Sequence, residues 1–158
     1  MKIYADFDGC LNSIQFKGSR PHLEEMTGFD DFKNTTLTMG GSKKPIVYSS
    51  ERNHLLKLIA AANEFIWLTA WVPYISEVQG LTLIKGALPD RVPDEMVTGW
   101  KEKIVLDSIK PGEKFVWFDD AAIKQSFIDA HPEALLIKPS INYGLTRENI
   151  QTIKEYTK

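Results

Sequence analysis

Residues 2–9 read Lys2-Ile3-Tyr4-Ala5-Asp6-Phe7-Asp8-Gly9. The apolar run predicts a short buried strand, and two aspartates spaced by two follow at its end. In extended backbone this spacing points both carboxylates the same way, so they repel unless a cation lies between them or one keeps a proton. Gly9 permits a sharp turn just beyond the strand. The alternative interpretation is a strand that runs into an ordinary Asp-Gly turn.

Two further apolar runs also end in polar side chains. Residues 65–71 read Phe-Ile-Trp-Leu-Thr-Ala-Trp, so a second strand is expected to end at Thr69. Residues 114–120 read Lys-Phe-Val-Trp-Phe-Asp-Asp, so a third is expected to end at Asp119 and Asp120. Because the carboxyl ends of parallel strands meet at one edge of an open sheet, these three ends favour a shared crevice.

Strand and helix patterns alternate along the chain. Strands are expected at about 2–7, 65–69, 81–84, 114–118 and 134–137, and helices at about 52–63, 72–78, 94–109, 121–130 and 146–156. Ser49 or Ser50 is expected to cap the first helix and Thr146 the last. The inward face of the first helix is assigned to Leu55, Leu58, Ile59 and Ala62. This alternation predicts an α/β fold with a doubly wound, mostly parallel, Rossmann-like sheet.

Residues 12–50 depart from the alternation. They contain several glycines and prolines, and the extended stretches at about 35–39 and 45–49 are separated by a Gly-Gly turn, which predicts a β-hairpin. Because this insertion directly follows the first acid motif, we expect it to overhang the site as a flap or minimal cap. The chain, residues 1–158, is interpreted as one domain carrying this insertion.

Composition limits the classes of partner. The chain has 158 residues, of which 43% are hydrophobic and 25% charged, and a net charge of −2. That balance gives no overall attraction to nucleic acid or membranes, so a local patch would have to draw an anionic substrate. A single cysteine excludes an internal disulfide. No apolar run approaches the ~20 residues of a membrane span and no leader pattern is seen, so a cytoplasmic protein without membrane partners is expected.

Four ordered motifs resemble those of the haloacid dehalogenase (HAD) superfamily. They are Asp6-Phe7-Asp8-Gly9, Thr69, a lysine near position 101, and Asp119-Asp120. More narrowly, residues 67–71, Trp100-Lys101 and residues 116–120 resemble the phosphatase-type domains of bacterial and phage RNA-repair proteins. The match covers residues 1 to about 125. Cys10 departs from the threonine or valine that is more frequent in the family, which is a conservative apolar change.

The resemblance implies roles for the acids. Asp6 is expected to be the nucleophile, because carboxylates form covalent aspartyl-phosphate intermediates; the alternative is a magnesium ligand only. Asp8 is expected to protonate the leaving oxygen and then to activate water. Mg²⁺ prefers oxygen ligands. Asp6, the backbone carbonyl of Asp8 and either Asp119 or Asp120 would supply them, and the other aspartate of that pair would orient the one that binds.

Thr69 and a lysine complete the implied site. Thr69 is expected to hold the phosphoryl group through its hydroxyl and the amides that follow; the alternative is a simple helix cap. Lys101 is expected to balance the negative charge. Lys103 competes for that role, but Lys101 shares a helix face with Val105 and Ile109 and should therefore point toward the packed side.

Two further features have both a structural and a binding interpretation. Trp71 and Trp100, at the ends of elements, are either core residues or platforms that stack on a base. Basic residues in or beside the insertion are either solvated or line a phosphate-backbone groove; they are Lys17, Arg20, Lys33, Lys43, Lys44 and Arg52.

The sequence therefore predicts a Mg²⁺-dependent phosphate monoester hydrolase acting through an aspartyl-phosphate. A minimal cap would leave the site open to large substrates, so a nucleic-acid end or a nucleotide is the leading substrate class. The alternatives are a small-metabolite phosphatase or phosphotransferase, and a catalytically silent HAD-like module that binds phosphate.

Overall fold

A computed structural model describes residues 1–14, 22–93 and 96–158. In chain order its elements are β1 (Lys2–Ala5), α1 (Leu23–Thr27), β2 (Phe32–Met39), β3 (Ser42–Ser49), α2 (Ser50–Ala60), β4 (Glu64–Trp67), α3 (Ile75–Thr82), α4 (Trp100–Ser108), β5 (Phe115–Phe118), α5 (Gln125–Ala130), β6 (Leu135–Ile137) and α6 (Arg147–Tyr156). A 3₁₀ turn, Val72–Tyr74, precedes α3. None of the described helices is long and apolar enough to cross a bilayer.

The main sheet has four parallel strands in the order β4-β1-β5-β6. Side chains of β1 alternate between its faces: Ile3 and Ala5 pack with α2, α3 and α6, whereas Tyr4 packs with α4 and α5. Because both faces are covered by helices, each strand reads as a nearly continuous apolar run rather than an alternating one. The predicted doubly wound α/β fold is therefore confirmed.

The predicted strand at 81–84 is wrong. Residues 75–82 form α3, which ends where Leu83 adopts a left-handed conformation (φ 58°). The extended contact at this sheet edge comes later, where Ala87 pairs with Ile66. There the backbone approaches so closely that a Cβ on Gly86 would lie 2.7 Å from Trp67 Cδ1. The helix predicted at about 72–78 therefore begins later and extends further along the chain, as α3 at Ile75–Thr82.

The other predicted helices are present, but some of their first and last residues, and some of the residues assigned to the inward face, were predicted wrongly. Ser49 caps α2 and Thr146 caps α6, as expected. Leu58 and Ala62, assigned to the inward face of this helix, are instead exposed, and Ala62 lies beyond the end of α2 at Ala60. Helix α4 begins at Trp100 rather than near 94, and positions 94 and 95 lie outside the described residues. Helix α5 begins at Gln125, four residues later than predicted.

The predicted hairpin is confirmed and is longer than expected. Strands β2 and β3 pair over eight residues each, and Gly40 and Gly41 both take positive φ (58° and 78°), as a tight two-residue hairpin turn requires. Leu37 and Ile46 are buried in the same core as α2 and α6. The hairpin thus contributes to the core in addition to standing beside the first motif.

Arg52, one of the basic residues in or beside the insertion, is neither solvated nor part of a phosphate-binding groove. It is fully buried in α2, and its guanidinium donates to the carbonyls of Leu11, Tyr143 and Leu145. Burial lowers its pKa to about 10, so it remains charged at neutral pH. A solvated position and a phosphate groove are both wrong for this residue. Its hydrogen bonds join the turn after β1 to the loop before α6.

Replacing Arg52 by methionine should destabilise the protein by roughly 2–4 kcal/mol, because three buried carbonyls would lose their charged donor. Chemical denaturation of Arg52→Met and wild type measures this. Lys57→Met, on the exposed side of the same helix, is the matched control and should stay within about 0.5 kcal/mol of wild type. An Arg52→Met protein as stable as that control would contradict the assigned role.

Candidate functional site

Neighbouring strands bring the predicted acids together. Ala5 of β1 pairs with Phe118 of β5, so Asp6 and Asp119 each follow a paired position. The ladder continues past both strands: the Asp6 amide donates to the Phe118 carbonyl (3.1 Å), and the Asp119 amide to the Ile137 carbonyl (3.1 Å). One carboxylate oxygen from each of Asp6, Asp119 and Asp120 lies within 4.8 Å of the others.

Lys101 lies between two of these acids. From the first turn of α4 its Nζ donates to Asp6 Oδ2 at 2.5 Å and to Asp119 Oδ2 at 2.6 Å. Lys103, the competing candidate, is exposed and pairs with Asp107 four residues along the same helix. The structure therefore places Lys101 at the acid cluster and Lys103 away from it.

Burial and charge shape the protonation of this cluster. Burial raises the pKa of Asp6 to about 7; Lys101 opposes that rise and the Asp119 charge adds to it. Burial alone would lower the pKa of Lys101, but the Asp6 and Asp119 carboxylates outweigh it and the pKa is raised. Three carboxyl groups therefore face one ammonium, which leaves negative charge for a further cation to balance.

Hydrogen bonding separates the roles of Asp119 and Asp120. Asp119 Oδ1 accepts the Ala121 amide (3.0 Å) and the Ala122 amide (2.6 Å), while its Oδ2 accepts Lys101. Three of the roughly four acceptor positions of that carboxylate are thus occupied by the protein. Asp120 is only half-buried, and burial followed by the Asp119 charge raises its pKa. This arrangement favours Asp120 over Asp119 as a direct ligand of a bound cation.

Gly9 is required by the position of Asp120. Its φ of +69° is left-handed, and a Cβ built on it would lie 2.4 Å from Asp120 Cγ. The amides of Cys10, Leu11 and Asn12 all donate to the Phe7 carbonyl, which closes a tight turn. The sequence predicted that sharp turn but not its contact with Asp120.

Asp8 lies beside the cluster and has partners of its own. Strand β1 ends at Ala5, two residues earlier than predicted, so Asp6 and Asp8 do not share an extended strand. Asp8 Oδ2 accepts the indole N–H of Trp71 at 2.8 Å, and its Oδ1 accepts Nδ2 of Asn12 at 2.7 Å. The sequence analysis did not predict either contact. The only available signal was that Asn12 follows the first acid motif and that Trp71 follows Thr69.

The structure excludes base stacking for one of the two tryptophans, Trp71, and leaves it open for Trp100. Trp71 is buried and packs edge-on against Phe7, with ring centroids 5.7 Å apart, so stacking of Trp71 on a base is excluded by its burial. Trp100 is half-buried, and its ring lies 5.9 Å from Lys101 Nζ. Stacking by Trp100 stays a prediction.

Thr69 follows β4 at the same edge of the sheet as Asp6, and the ladder bond from the Leu68 amide to the Ala5 carbonyl (2.8 Å) continues to this point. Thr69 is buried; its hydroxyl accepts the Trp71 amide (3.3 Å) and its carbonyl accepts the Val72 amide (3.2 Å). These contacts close a turn just ahead of the 3₁₀ turn, whose N-cap is Trp71 and has no side-chain capping bond, so the alternative of a simple helix cap at Thr69 is wrong. A role in holding a phosphoryl group stays a prediction.

Cys10 and the basic residues of the hairpin lie outside the acid cluster. Cys10 is buried, and burial followed by the charges of Asp6, Asp119 and Asp120 raises its thiol pKa well above the usual value, as befits a core residue. Lys33, Lys43 and Lys44 are exposed on the hairpin. Lys17 and Arg20 lie outside the described residues.

Comparisons of the chain with protein-family models, with curated proteins and with solved structures found no match. The resemblance to the HAD superfamily therefore stays a prediction, and the function has to be argued from the geometry of the site.

Replacing Lys101 by methionine in metal-free buffer should destabilise the protein by about 3 kcal/mol, because two buried carboxylates lose their shared counter-charge. Losing the ammonium raises the pKa of Asp6 further, so protonation relieves the repulsion at low pH. The destabilisation should therefore be larger at pH 8 than at pH 5, as measured by urea denaturation at both values. Lys103→Met is the control, and an equal effect of the two substitutions would contradict the assignment.

A Mg²⁺ site that includes Asp120 predicts that replacing Gly9 by alanine removes the stabilisation of the protein by Mg²⁺, because the added Cβ displaces the Asp120 carboxylate. Gly112→Ala is the matched control: its φ is +73°, equally left-handed, but nothing lies within 4 Å of the added Cβ. Melting temperatures with and without saturating MgCl₂ test this. Equal responses of the two variants to Mg²⁺ would contradict a cation site that includes Asp120.

Proposed function

We propose that this chain is a Mg²⁺-dependent phosphate monoester hydrolase in which Asp6 is phosphorylated during turnover. The observation that supports this most strongly is the placement of Lys101 Nζ between Asp6 and Asp119, with Asp120 completing a cluster of three carboxyl groups. A lysine confined between acids at the ends of parallel strands is suited to balancing the charge of a phosphoryl group beside a carboxylate.

The donor set fits Mg²⁺. Carboxylate and carbonyl oxygens are the ligands this ion prefers, and the cluster supplies three carboxylates with only one ammonium to balance them. Asp6, Asp120 and the backbone carbonyl of Asp8 would hold the ion, while Asp119 would orient Lys101. A bound Mg²⁺ would supply neutralisation of charge on the phosphoryl oxygens.

The first chemical step would use Asp6 and Asp8 together. An Asp6 carboxylate oxygen forms a bond to phosphorus, and the bond between phosphorus and the ester oxygen breaks with its electron pair moving to that oxygen. The Asp8 carboxyl gives its proton to the leaving oxygen. The products are an alcohol, an acyl phosphate on Asp6 and the Asp8 carboxylate.

The second step would return the protein to its starting state. The Asp8 carboxylate takes a proton from a water molecule as the water oxygen bonds to phosphorus. The bond between phosphorus and Asp6 breaks, and its electrons restore the Asp6 carboxylate. Inorganic phosphate is released and Asp8 is protonated again, so the same residue serves as acid and then as base.

A phosphorylated nucleic-acid end or a nucleotide is the substrate class that the arrangement favours. The hairpin β2–β3 consists of two eight-residue strands, and it carries exposed Lys33, Lys43 and Lys44 with no acidic residue between Phe32 and Ser49. A small flap of this charge would leave room for, and attract, a polyanionic substrate more readily than a full cap would.

Replacing Asp6 by asparagine should lower kcat/KM at least about a hundredfold, because a neutral amide cannot form the acyl phosphate. The assay is turnover of p-nitrophenyl phosphate and of 3′- and 5′-phosphorylated oligonucleotides, each with and without EDTA. Asp107→Asn, at an exposed position on α4, is the control and should stay near wild type.

Three outcomes of that assay separate the competing functions. A wild-type protein that binds Mg²⁺ but turns over none of these esters would favour the silent module. Activity on the aryl ester but not on oligonucleotides would favour a small-metabolite phosphatase. Full activity in EDTA, or in folded Asp6→Asn, would contradict the proposed chemistry itself.

A further inference from the structure

The carboxylate of Asp8 is held by two side-chain donors, one on each oxygen. Trp71 Nε1 lies 2.8 Å from Oδ2, and Asn12 Nδ2 lies 2.7 Å from Oδ1. Both donors are buried, with relative exposures of 2% and 5%. One donor on each oxygen fixes the rotation of a carboxylate about its Cβ–Cγ bond.

Asn12 uses both ends of its amide. Its Oδ1 accepts the backbone amide of Val47 in β3 at 3.0 Å, while its Nδ2 donates to Asp8. The amide of the next residue, Ser13, donates to the Val47 carbonyl at 2.8 Å. The hairpin is therefore hydrogen-bonded to the segment after the first motif, and through the Asn12 side chain it reaches Asp8.

Trp71 is set apart from the other buried tryptophans. The indole N–H groups of Trp67 and Trp117 are buried and have no hydrogen-bond partner among the described residues. Core packing in this protein thus tolerates an indole without a partner, whereas the indole of Trp71 donates to an acid at the site. Its packing against Phe7 holds the ring beside that acid.

We propose that Trp71 and Asn12 are positioning residues that set the orientation of the Asp8 carboxyl for proton transfer, and that Asn12 couples this orientation to the hairpin. The proposal rests on the function proposed above. In that reaction Asp8 gives a proton to the leaving oxygen and later takes one from water, so both transfers depend on where its oxygens point.

The dependence of the rate on the leaving group distinguishes a positioning role from a structural one, because a purely structural defect would slow both esters alike. p-Nitrophenolate is a stable anion and leaves with little help from an acid, whereas the alkoxide from benzyl phosphate must be protonated as it departs. A misaligned Asp8 should therefore slow benzyl phosphate hydrolysis much more than p-nitrophenyl phosphate hydrolysis.

The principal variant is Trp71→Phe, which removes the N–H and keeps an aromatic ring. Its matched control is Trp67→Phe, which makes the same change at an indole without a partner. We expect Trp71→Phe to lower kcat/KM, which reports the step that expels the leaving group, at least about tenfold more for benzyl phosphate than for p-nitrophenyl phosphate, and Trp67→Phe to affect both substrates equally. In the Asp8→Asn background, Trp71→Phe should have no further effect.

A second variant tests Asn12. Asn12→Leu keeps a similar size but removes the donor to Asp8 without adding a charge, so it should show the same leaving-group dependence, while the Ser13–Val47 hydrogen bond still joins the hairpin to this segment. Equal losses of kcat/KM for both esters in folded Trp71→Phe and Asn12→Leu would overturn the proposal, as would a Trp67→Phe control that behaves like Trp71→Phe.

Failures of the two proposals are distinguishable. Wild-type protein that hydrolyses neither ester would overturn the proposed function and this inference with it. Active wild type with no leaving-group dependence in the variants overturns the inference alone. If both variants fail to fold, the two residues serve stability and the positioning role is overturned.

Discussion

The ammonium of Lys101 is the contact on which the site depends. Two carboxyl groups, Asp6 and Asp119, are buried at the ends of adjacent strands, and burial of like charges is unfavourable without a shared counter-charge. Lys101 reaches both because α4 covers the sheet face below them. The same contact leaves the cluster with excess negative charge, which is the electrostatic reason for proposing a divalent cation there.

The turn that follows β1 connects the acid cluster to the rest of the structure. Gly9 lacks a side chain because Asp120 occupies that space, and Asn12 joins Asp8 to strand β3. Arg52 fixes the other side of the turn by binding carbonyls at Leu11 and before α6. A short segment of backbone is thus held by the sheet, the hairpin and two helices, and the proposed reaction would need such preorganisation of Asp6 and Asp8.

Local sequence pattern was sufficient to predict the four parallel strands and to predict that Asp6, Asp119 and Asp120 lie close together. Apolar runs that end in Asp6, Thr69 and Asp119 are readable because strand burial and strand ends are local properties. The segment at 81–84 was misassigned because a short apolar run fits a helix and a strand equally well. The buried role of Arg52 was not predictable, since the carbonyls that satisfy it come from segments far along the chain. The contact of Trp71 with Asp8 spans 63 residues, and only the packed structure brings it about.

The central claim is that Asp6 carries the phosphoryl group during turnover. Borohydride reduces an acyl phosphate but not a free carboxylate, so rapid reduction of the protein during turnover, followed by peptide mass spectrometry, locates the phosphorylated residue. The account predicts conversion of Asp6 to homoserine, dependent on substrate and Mg²⁺ and absent from protein reduced without substrate. Reduction at another carboxylate, or an active protein in which no residue is reduced, would contradict it.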